Sequence, residues 1–462
     1  MVKEIKTRLF KYIDSRQSEI IDFLCELIEL KPINPVLSAD DFSRGAVKGD
    51  EFAAQNWIKE KMRLFGFDEV DYWANDPEER RPNVVGTIAG KAKGKSLILN
   101  GHVDVVPVPE EQLKRWTCDP YRATKKNGMV YGRGSCDMLG GLTAIIWAAK
   151  ALLDNNVELK GDLYVESVTG EESNDGGFLG TATTITRGYK APFAIVAEPT
   201  GGEIHTCTCG TMLFEMIVHG VEAHTAMKNL IVYTQRYGIP QGSRIGVDAV
   251  AKAVKYIIAF QEMEKNWNFR WRHPVLGGGG QPVAMDKEGV GIFCITPTMI
   301  EGGTSITSIP AHCRLNCQVY YPSWINRRTV WAEVKKVISG VSDTDDWLKE
   351  NPPTIKIDKA IEGDLEYIPP WDANEVSIDH QGCKKLASAW EQATGRQSIF
   401  SGFKAVCDVT HFGKNGIPAV VFGPGNLYAG VHGADECISM EDIVDCCKAF
   451  IAMVIDWCEP SQ

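Results

Sequence analysis

Short apolar runs alternate with longer amphipathic segments along most of this chain, and this alternation limits its possible folds more than any other feature. The run KSLILNGHVDVVP at 95–107 is typical of a buried strand that leads into a loop. The segment GGLTAIIWAAKALLDNN at 140–156 has the composition of a helix that begins at glycines. Further strands are expected at 161–172 and 191–200, and a helix capped by Ser439 is expected near the C-terminal end. Such alternation predicts an α/β fold.

The middle of the chain has a different order of predicted elements, which indicates a second domain inserted into the first. From Cys209 onward the elements follow the order β-α-β-β-α-β, which makes a compact α+β unit of the ferredoxin-like kind. They are expected at 210–220, 246–264, 291–303, 312–322, 325–338 and 353–358. The chain has 462 residues, more than one hydrophobic core normally serves. We therefore predict a first domain formed by 1–208 and 363–462, with an inserted domain at 209–362.

Composition argues against several classes of partner and compartment. A net charge of −11 argues against nucleic acid and anionic membranes as partners. The N-terminal segment lacks a signal pattern, and no uninterrupted apolar run approaches the roughly 18 residues of a membrane-spanning helix. Most of the 14 cysteines lie inside apolar runs, so we expect free thiols and a cytoplasmic location. The pair Cys207 and Cys209 has no second pair at zinc-finger spacing, so no structural metal is expected there.

Acidic residues and histidines occur where the predicted strands end, which is where open α/β sheets hold their ligands. These residues are His102, Asp104, Asp137, Glu171, Glu172, Glu198 and His432. Each one alone has an ordinary structural interpretation, such as a helix cap for Asp137. Together they form a mixed nitrogen and oxygen ligand set that suits divalent zinc, cobalt or manganese. Two divalent cations would outweigh three ligating carboxylates by one positive charge, which favours bound hydroxide over water.

Seven sequence blocks, in a fixed order, point to a known family. The blocks are GHVDVVP, YGRGSCDMLGG, TGEES, AEPT, VHGVEAHT, IEGGTSITSIPAHC and GPGNLYAGVHGADE. In these blocks the chain resembles the acetylornithine deacetylase, succinyl-diaminopimelate desuccinylase, aminoacylase and glutamate carboxypeptidase family of dinuclear zinc hydrolases. The resemblance covers nearly the whole chain. It implies a zinc-peptidase-like catalytic domain with a central mixed sheet flanked by helices, and an inserted domain that forms a lid and a dimer interface.

The resemblance implies two divalent metal ions and assigns their ligands. The ions are expected to be Zn²⁺, with Co²⁺ or Mn²⁺ as alternatives. Asp137 would bridge the two ions. His102 and Glu198 would complete one site, and Glu172 and His432 would complete the other.

The resemblance also implies roles for residues that do not bind metal. Glu171 would be the general base, which takes a proton from the metal-bridging water, so that hydroxide attacks, and delivers the proton to the leaving nitrogen. Asp104 would orient the ring of His102, as carboxylates do for many metal-bound imidazoles. The peptide bond between Asp137 and Met138 would be cis.

In the family, a histidine of the inserted domain reaches into the active site of the partner subunit. Here that residue is His224, which would stabilise the oxyanion of the tetrahedral intermediate in trans within a homodimer. The alternative interpretation of His224 is an ordinary residue at the start of a helix.

Two substitutions leave the substrate open. Thr307 replaces an asparagine that contacts substrate in the family, and Tyr320 replaces an arginine that commonly holds a substrate carboxylate. Tyrosine lacks the charged, bidentate guanidinium group of arginine. Either another residue holds the carboxylate, for which Arg244, Arg270 and Arg272 are candidates, or the substrate has no carboxylate.

Two excursions, at 227–245 and 265–290, lengthen the inserted domain relative to the family. Long ordered loops in compact domains often have a function. The alternative is a structural contribution to the lid or to the dimer interface. The second excursion contains four large side chains, which are Trp267, Phe269, Trp271 and His273.

The predicted activity is metal-dependent hydrolysis of the amide C–N bond of a small N-acyl compound, with an N-acyl-amino-acid deacylase as the family's default. Because Tyr320 replaces the arginine, the alternatives are a deformylase or deacylase of an uncharged or heterocyclic amide, and a dipeptidase. A non-catalytic homologue that acts as a binding protein is a further alternative, although the chain keeps all five predicted ligands and Glu171. A two-metal phosphoesterase would use the same ligand types, but the sequence lacks a glycine-rich phosphate loop.

Overall fold

The chain forms two compact units, and each is described by itself. The computed structural model describes residues 2–36, 49–75, 80–172, 177–233, 238–273, 275, 290–291, 293–357 and 371–461. The first unit contains the described residues up to Thr208 and from Asn374 onward, and the second contains those from Cys209 to Ala373. The predicted boundary between 362 and 363 lies outside the described residues.

An eight-stranded mixed sheet forms the centre of the first unit. In the order in which they lie side by side, its strands are β1 (Glu69–Ala74), β2 (Pro82–Ile88), β6 (Leu163–Val168), β3 (Leu97–His102), β7 (Ala194–Val196), β18 (Ala419–Val421), β8 (Ile204–Thr208) and β17 (Phe400–Phe403). The neighbours β6, β3, β7 and β18 run parallel, whereas β1 and β2 pair antiparallel. The predicted mixed central sheet is therefore confirmed.

Helices and a small second sheet surround this central sheet and share its apolar core. The helices span Val2–Ser15, Gln17–Glu29, Phe52–Phe65, Glu110–Leu113, Gly140–Asp154, Thr181–Arg187, Gln381–Thr394, Val409–Lys414 and Met440–Cys458. The small antiparallel sheet consists of β4 (Thr124–Lys126), β5 (Met129–Tyr131) and β19 (Cys437–Ser439).

The helix Gly140–Asp154 lies at the centre of the first unit, and nearly all of its residues are buried. A Cβ atom on Gly141 would lie 1.8 Å from the main-chain oxygen of Ala197, so only glycine allows this close approach. The helix therefore packs directly against the segment that follows β7. In the described part of the chain, Ser135–Asp154 is the one helical stretch long and apolar enough to span a membrane, and most of it is buried inside the unit.

Two further sequence predictions are confirmed, one for the first unit and one for both units. The helix Met440–Cys458 begins after Ser439, whose hydroxyl accepts a hydrogen bond from the main-chain N–H of Asp442. All 14 cysteines lie in the described part of the chain, and none of them forms a disulfide bond there.

A four-stranded antiparallel sheet forms the second unit. Side by side, its strands are β14 (Cys294–Gly302), β15 (His312–Tyr321), β9 (Gly210–His219) and β16 (Thr354–Ile357). The helical segments are Thr225–Met227, Ala249–Arg270, Arg327–Asp343 and Asp346–Glu350. Two short ribbons pair β10 (Leu230–Ile231) with β11 (Arg244–Ile245) and β12 (Arg272–His273) with β13 (Val290–Gly291). The β-α-β-β-α-β order and antiparallel pairing confirm the ferredoxin-like prediction.

Two helix boundaries in the second unit differ from the predicted ones. The helix predicted at 246–264 continues to Arg270, because Trp267 is buried against Phe293 with ring centroids 3.6 Å apart. The first residues of the second excursion, 265–270, are therefore part of this helix, and Trp267 among them belongs to the apolar core. The helix predicted at 325–338 begins later, because the side chain of Asn326 caps it by accepting from the N–H of Thr329, and it continues through Asp343.

Candidate metal centre

The parallel strands of the first unit bring four of the predicted site residues to one edge of the sheet. His102 is the last residue of β3, Glu171 and Glu172 follow β6, and Glu198 follows β7. These three strands are neighbours and run in the same direction, so their carboxyl ends meet at one edge. The fold therefore gathers side chains that are far apart in sequence, as the strand-end pattern predicts.

Asp137 joins this group from the turn Ser135–Leu139, which precedes the central helix. The peptide bond between Asp137 and Met138 is cis, as predicted. His432 joins from the loop between β18 and β19, where it has a positive φ of 57°.

The two oxygens of Asp137 face two different histidines. Oδ1 lies 3.4 Å from Nε2 of His102, and Oδ2 lies 3.4 Å from Nε2 of His432. The His102 nitrogen also lies 3.5 Å from Oε1 of Glu198, and the His432 nitrogen lies 3.1 Å from Oε2 of Glu172. The geometry thus forms two donor sets that share the carboxylate of Asp137, with the same members as the two ligand sets that the resemblance implies.

A divalent cation fits the His102 donor set. Nδ1 of His102 lies 2.9 Å from the main-chain oxygen of Asp104, which places the ring proton on Nδ1. Nε2 then has a free lone pair. It is buried, has no hydrogen-bond partner among the described residues, and faces Asp137 and Glu198. Burial raises the pKa of Glu198 to about 8, and the charge of Asp137 adds to the rise. A buried nitrogen lone pair among carboxylates is the environment of a metal cation.

The charges of the whole cluster lead to the same conclusion. Among the described residues, the ion pairs of Asp137, Glu171, Glu172 and Glu198 are with histidines alone. Two groups of three side chains have potential metal-ligand atoms within 4.8 Å of one another. One group is His102, Asp137 and Glu172, and the other is His102, Glu171 and Glu198. Four carboxylates beside two imidazoles leave a negative charge that two divalent cations would neutralise.

The adjacent acids Glu171 and Glu172 point to different partners. Both oxygens of Glu172 lie 3.1–3.2 Å from Nε2 of His432. Oε2 of Glu171 approaches Nε2 of His102 only to 3.9 Å, and the side chain is almost fully buried. Burial raises the pKa of Glu171 well above its ordinary value, and the charges of Glu198 and Glu172 add to the rise. Glu171 is thus close to the cluster without belonging to either donor set.

Asp104 has a different contact from the one that the resemblance implies. Its carboxylate lies 3.7 Å from Nδ1 of His102, and its main-chain oxygen makes the hydrogen bond to the ring. The carboxylate instead accepts hydrogen bonds from the N–H groups of Glu171 at 3.2 Å and Glu172 at 3.0 Å, and from the amide of Asn34 at 2.8 Å. Orientation of the metal-bound His102 ring by the Asp104 carboxylate stays a prediction, and the carboxylate has a second role in this structure. It holds the turn that carries the two glutamates.

The second unit brings two of its three predicted site residues together. The main-chain oxygen of Thr307 accepts from the N–H of Thr225, and a β-bridge joins His224 to Ser308. The exposed ring of His224 caps the turn Thr225–Met227, because Nδ1 accepts from the N–H of Ala226 at 3.2 Å.

Tyr320 lies at the other end of the same sheet. Cys313 marks the end of the sheet near Thr307, because it pairs with Gly302, the last residue of β14 before the Thr307 loop. Tyr320 lies seven residues further along β15. Seven residues of an extended strand span roughly 23 Å. The hydroxyl of Tyr320 accepts a hydrogen bond from the amide of Gln318 at 3.0 Å.

Two of the three arginine candidates for a substrate carboxylate already face acids. Arg244 lies 3.9 Å from Asp346, and Arg270 lies 3.5 Å from Glu333.

Sequence reasoning missed three residues that support the centre, which are Gln112, Arg133 and Glu436. Glu436 belongs to the block GPGNLYAGVHGADE, which the sequence analysis used for the family resemblance. Its hydrogen-bond partners, however, lie about 300 residues earlier in the chain. The buried pair of Arg133 and Glu436 has an Nη1–Oε2 distance of 2.6 Å. No local pattern in the sequence indicates this pairing.

Comparison with protein families and relatives supports the same interpretation. The family model described as peptidase family M20/M25/M40 matches residues 98–456. A protein of Bacillus subtilis named N-formyl-4-amino-5-aminomethyl-2-methylpyrimidine deformylase is 32% identical over 410 residues, which cover 87% of this chain and 89% of the relative. A protein of Halalkalibacterium halodurans with the same name is 29% identical over 455 residues, which cover 97% of both chains.

Solved structures share the fold at low sequence identity. Human carnosine dipeptidase 1 superposes with a TM-score of 0.69 at 15% identity, over 98% of this chain and 99% of that chain. A metallo-carboxypeptidase of Sulfolobus solfataricus superposes with a TM-score of 0.68 at 19% identity, over 94% of this chain and 98% of that chain. These likenesses concern the fold alone.

Proposed function

The chain belongs to peptidase family M20/M25/M40 and is a metal-dependent amide hydrolase. On that premise we propose that it removes a formyl or similar small acyl group from an uncharged heterocyclic amide. The observation that carries this proposal is the similarity, over most of the chain, to two relatives named as pyrimidine deformylases. The replacement of the expected arginine by Tyr320 supports it, because tyrosine provides a neutral hydrogen-bonding group rather than a carboxylate-binding cation.

Two divalent ions would be held by the two donor sets that share Asp137, and they would polarise the amide carbonyl and activate water. We propose Zn²⁺ as the natural metal, because two imidazole nitrogens and three carboxylates form its usual ligand types. Co²⁺ and Mn²⁺ are the alternatives that the same donors accept.

Glu171 is the group that moves the proton. It belongs to neither donor set, so it can take up and release a proton while the metal ligands stay in place. Its main-chain N–H donates to the buried carboxylate of Asp104, which fixes the turn that aims it. A carboxylate held within reach of the reacting atoms provides general acid and base catalysis for amide hydrolysis.

An exposed apolar edge in the second unit supports a homodimer. Strand β14 pairs with β15 on one side, and Met299 and Ile300 on β14 are 49% and 57% exposed. Val254 and Ile258, on the helix that packs against β14, are 44% and 55% exposed. Proteins rarely leave an apolar edge strand uncovered, because it can pair with other chains. We propose that a second copy of this chain covers it.

The positions of His224 and Tyr320 agree with a role for His224 in trans. The two residues lie near opposite ends of the sheet of one chain, so in a dimer they can serve different active sites. Size-exclusion chromatography with light scattering would test the dimer, since a monomer at micromolar concentration would contradict it. The cytoplasmic location stays a prediction from the sequence.

Turnover of matched substrates tests the proposed function. The metal-loaded protein is assayed with N-formyl-4-amino-5-aminomethyl-2-methylpyrimidine and with N-formyl and N-acetyl amino acids that have a free α-carboxylate. We expect kcat/KM at least about 10-fold higher for the pyrimidine, because unpaired carboxylate burial costs more than about 1.4 kcal/mol. Chelator-treated protein is the control for metal-dependent turnover. Equal or higher kcat/KM for the amino acid derivatives would overturn the substrate class and favour an N-acyl-amino-acid deacylase.

A further inference from the structure

We propose that Gln112, Arg133 and Glu436 form a clamp that positions the loop of His432 against Asp137, and that this clamp sets the metal affinity of the half of the centre that contains His432. The inference rests on the proposed two-metal site. The clamp contacts the main chain of Asp137 and His432 but none of their ligand atoms, so its three members are positioning residues.

Glu436 holds the turn that carries Asp137. Its side chain is 1% exposed, and Oε1 accepts hydrogen bonds from the N–H groups of Cys136 and Asp137, each at 3.0 Å. Oε2 accepts from the N–H of Gly134 at 3.0 Å and from Arg133 at 2.6 Å. A carboxylate that accepts three main-chain hydrogen bonds in one turn fixes the path of that turn, and therefore the direction of the Asp137 side chain.

Arg133 and Gln112 hold the loop of His432 from the other side. Arg133 donates from Nη2 to the main-chain oxygen of Gly433 at 3.0 Å and to Oε1 of Gln112 at 2.7 Å. The amide nitrogen of Gln112 donates to the main-chain oxygen of His432 at 2.7 Å. Two consecutive carbonyl groups of the loop are thus bound by one connected network.

His432 lies in a loop between two strands, so its orientation depends on contacts such as those of the clamp. The side chain of His432 is 53% exposed, and its backbone has the left-handed conformation that residues other than glycine rarely adopt. Without the clamp, the imidazole would have to be ordered by the metal itself, and the cost of ordering would weaken binding. His102, in contrast, is the last residue of a buried strand.

The buried pair of Arg133 and Glu436 also has a structural interpretation, in which it stabilises the fold and leaves metal affinity unchanged. The position of Gln112 separates the two interpretations. Gln112 lies on a partly exposed short helix, and its removal leaves the contacts between Arg133 and Glu436 in place. Gln112→Ala is therefore expected to fold normally while it releases the carbonyl group of His432.

Titration of the metal-free full chain with Co²⁺ alone, followed by absorption spectroscopy and calorimetry, tests the clamp. For Gln112→Ala we expect the weaker of two Co²⁺ affinities to fall about 10- to 100-fold, while the tighter one changes less than threefold, as found for groups that support metal ligands. Glu436→Gln should reduce the weaker Co²⁺ affinity at least as strongly, because the amide N–H₂ group of glutamine would face main-chain N–H donors. Gln392→Ala, a change of the same type at a partly buried contact with Lys6, is the matched control and should bind as the wild type does.

The outcomes separate failure of the clamp from failure of the metal site. If the wild type binds two Co²⁺ ions and Gln112→Ala binds both with unchanged affinities, the clamp is overturned and the two-metal site stands. If the wild type itself binds fewer than two ions, both proposals are overturned.

Discussion

The two halves of the metal centre share Asp137 but differ in how the protein holds their histidines. His102 ends a strand in the middle of the sheet, is 1% exposed, and has its ring fixed by a hydrogen bond to the main chain of Asp104. His432 lies in a loop, is 53% exposed, and is held through carbonyl groups of its own backbone. The first half is therefore built into the sheet, and the second depends on side chains that are distant in sequence.

This difference predicts unequal metal binding. A ligand that the fold already orients loses little freedom when a metal binds, whereas a ligand on an exposed loop loses more. We expect the ion beside His102 to be held more tightly and exchanged more slowly than the ion beside His432. A centre of this kind can keep one ion in place while the other exchanges with solvent.

Removal of either histidine should have the largest effect. We expect His102→Ala and His432→Ala each to retain one ion of two, with the weaker affinity left in His102→Ala. Turnover should fall by more than the roughly 10–100-fold that is typical for residues that only support a ligand. Only His102→Ala should also lower the Tm of the metal-free chain, because it leaves a cavity in a buried site. Metal analysis and calorimetry would check this, and equal Tm values for the two variants would contradict the comparison.

Asp104→Asn should have an intermediate effect. An amide N–H₂ would replace one of the oxygens that accept hydrogen bonds from the N–H groups of Glu171 and Glu172. We expect turnover to fall about 10–100-fold, with both ions still bound. Asn34→Ala is the control, because it removes only the third partner of Asp104 and should reduce turnover much less. Loss of an ion in Asp104→Asn would show that the carboxylate acts through the ligands instead.

The smallest expected effect is a difference between the rates at which a chelator removes the two ions. In the Co²⁺-loaded protein, a competing chelator should remove one equivalent faster than the other, because the side chain of His432 is open to solvent whereas that of His102 is buried. Stopped-flow absorbance would show two phases in the wild type and lack the fast phase in His432→Ala. If the wild type lost both Co²⁺ ions in a single phase, the two halves would be equally accessible to the chelator, which would contradict the comparison.

The ligands that follow strands of the sheet, from both halves of the centre, were the predictable ones. Because His102, Glu172 and Glu198 each follow an apolar run, the strand-end pattern was enough to place them at one edge. His432 was also a candidate from the sequence pattern, but it lies in a loop, and its assignment to the same metal as Glu172 came from the resemblance. The N-terminal bound of the helix Gly140–Asp154 and the Ser439 cap were predicted because glycine and serine act locally.

The parts that could not be predicted depend on contacts between distant residues or on which atom makes a contact. Arg133 and Glu436 are 303 residues apart, and neither lies in a local motif that indicates the other. The sequence identified Asp104 as a partner of His102, but it did not show that the main-chain oxygen, and not the carboxylate, makes the bond. The extension of a helix to Arg270 depends on the burial of Trp267 against Phe293, which only the folded unit provides.

The division of roles between Glu171 and Glu172 is the central claim, and a paired substitution tests it most directly. Metal content and turnover are measured for Glu171→Gln and Glu172→Gln in the same preparation series. For Glu171→Gln we predict two bound ions and a loss of turnover of about 10²–10⁴-fold, the usual result when a general base is removed. For Glu172→Gln we predict fewer bound ions. Near-normal turnover of Glu171→Gln, or full metal content of Glu172→Gln, would contradict the account.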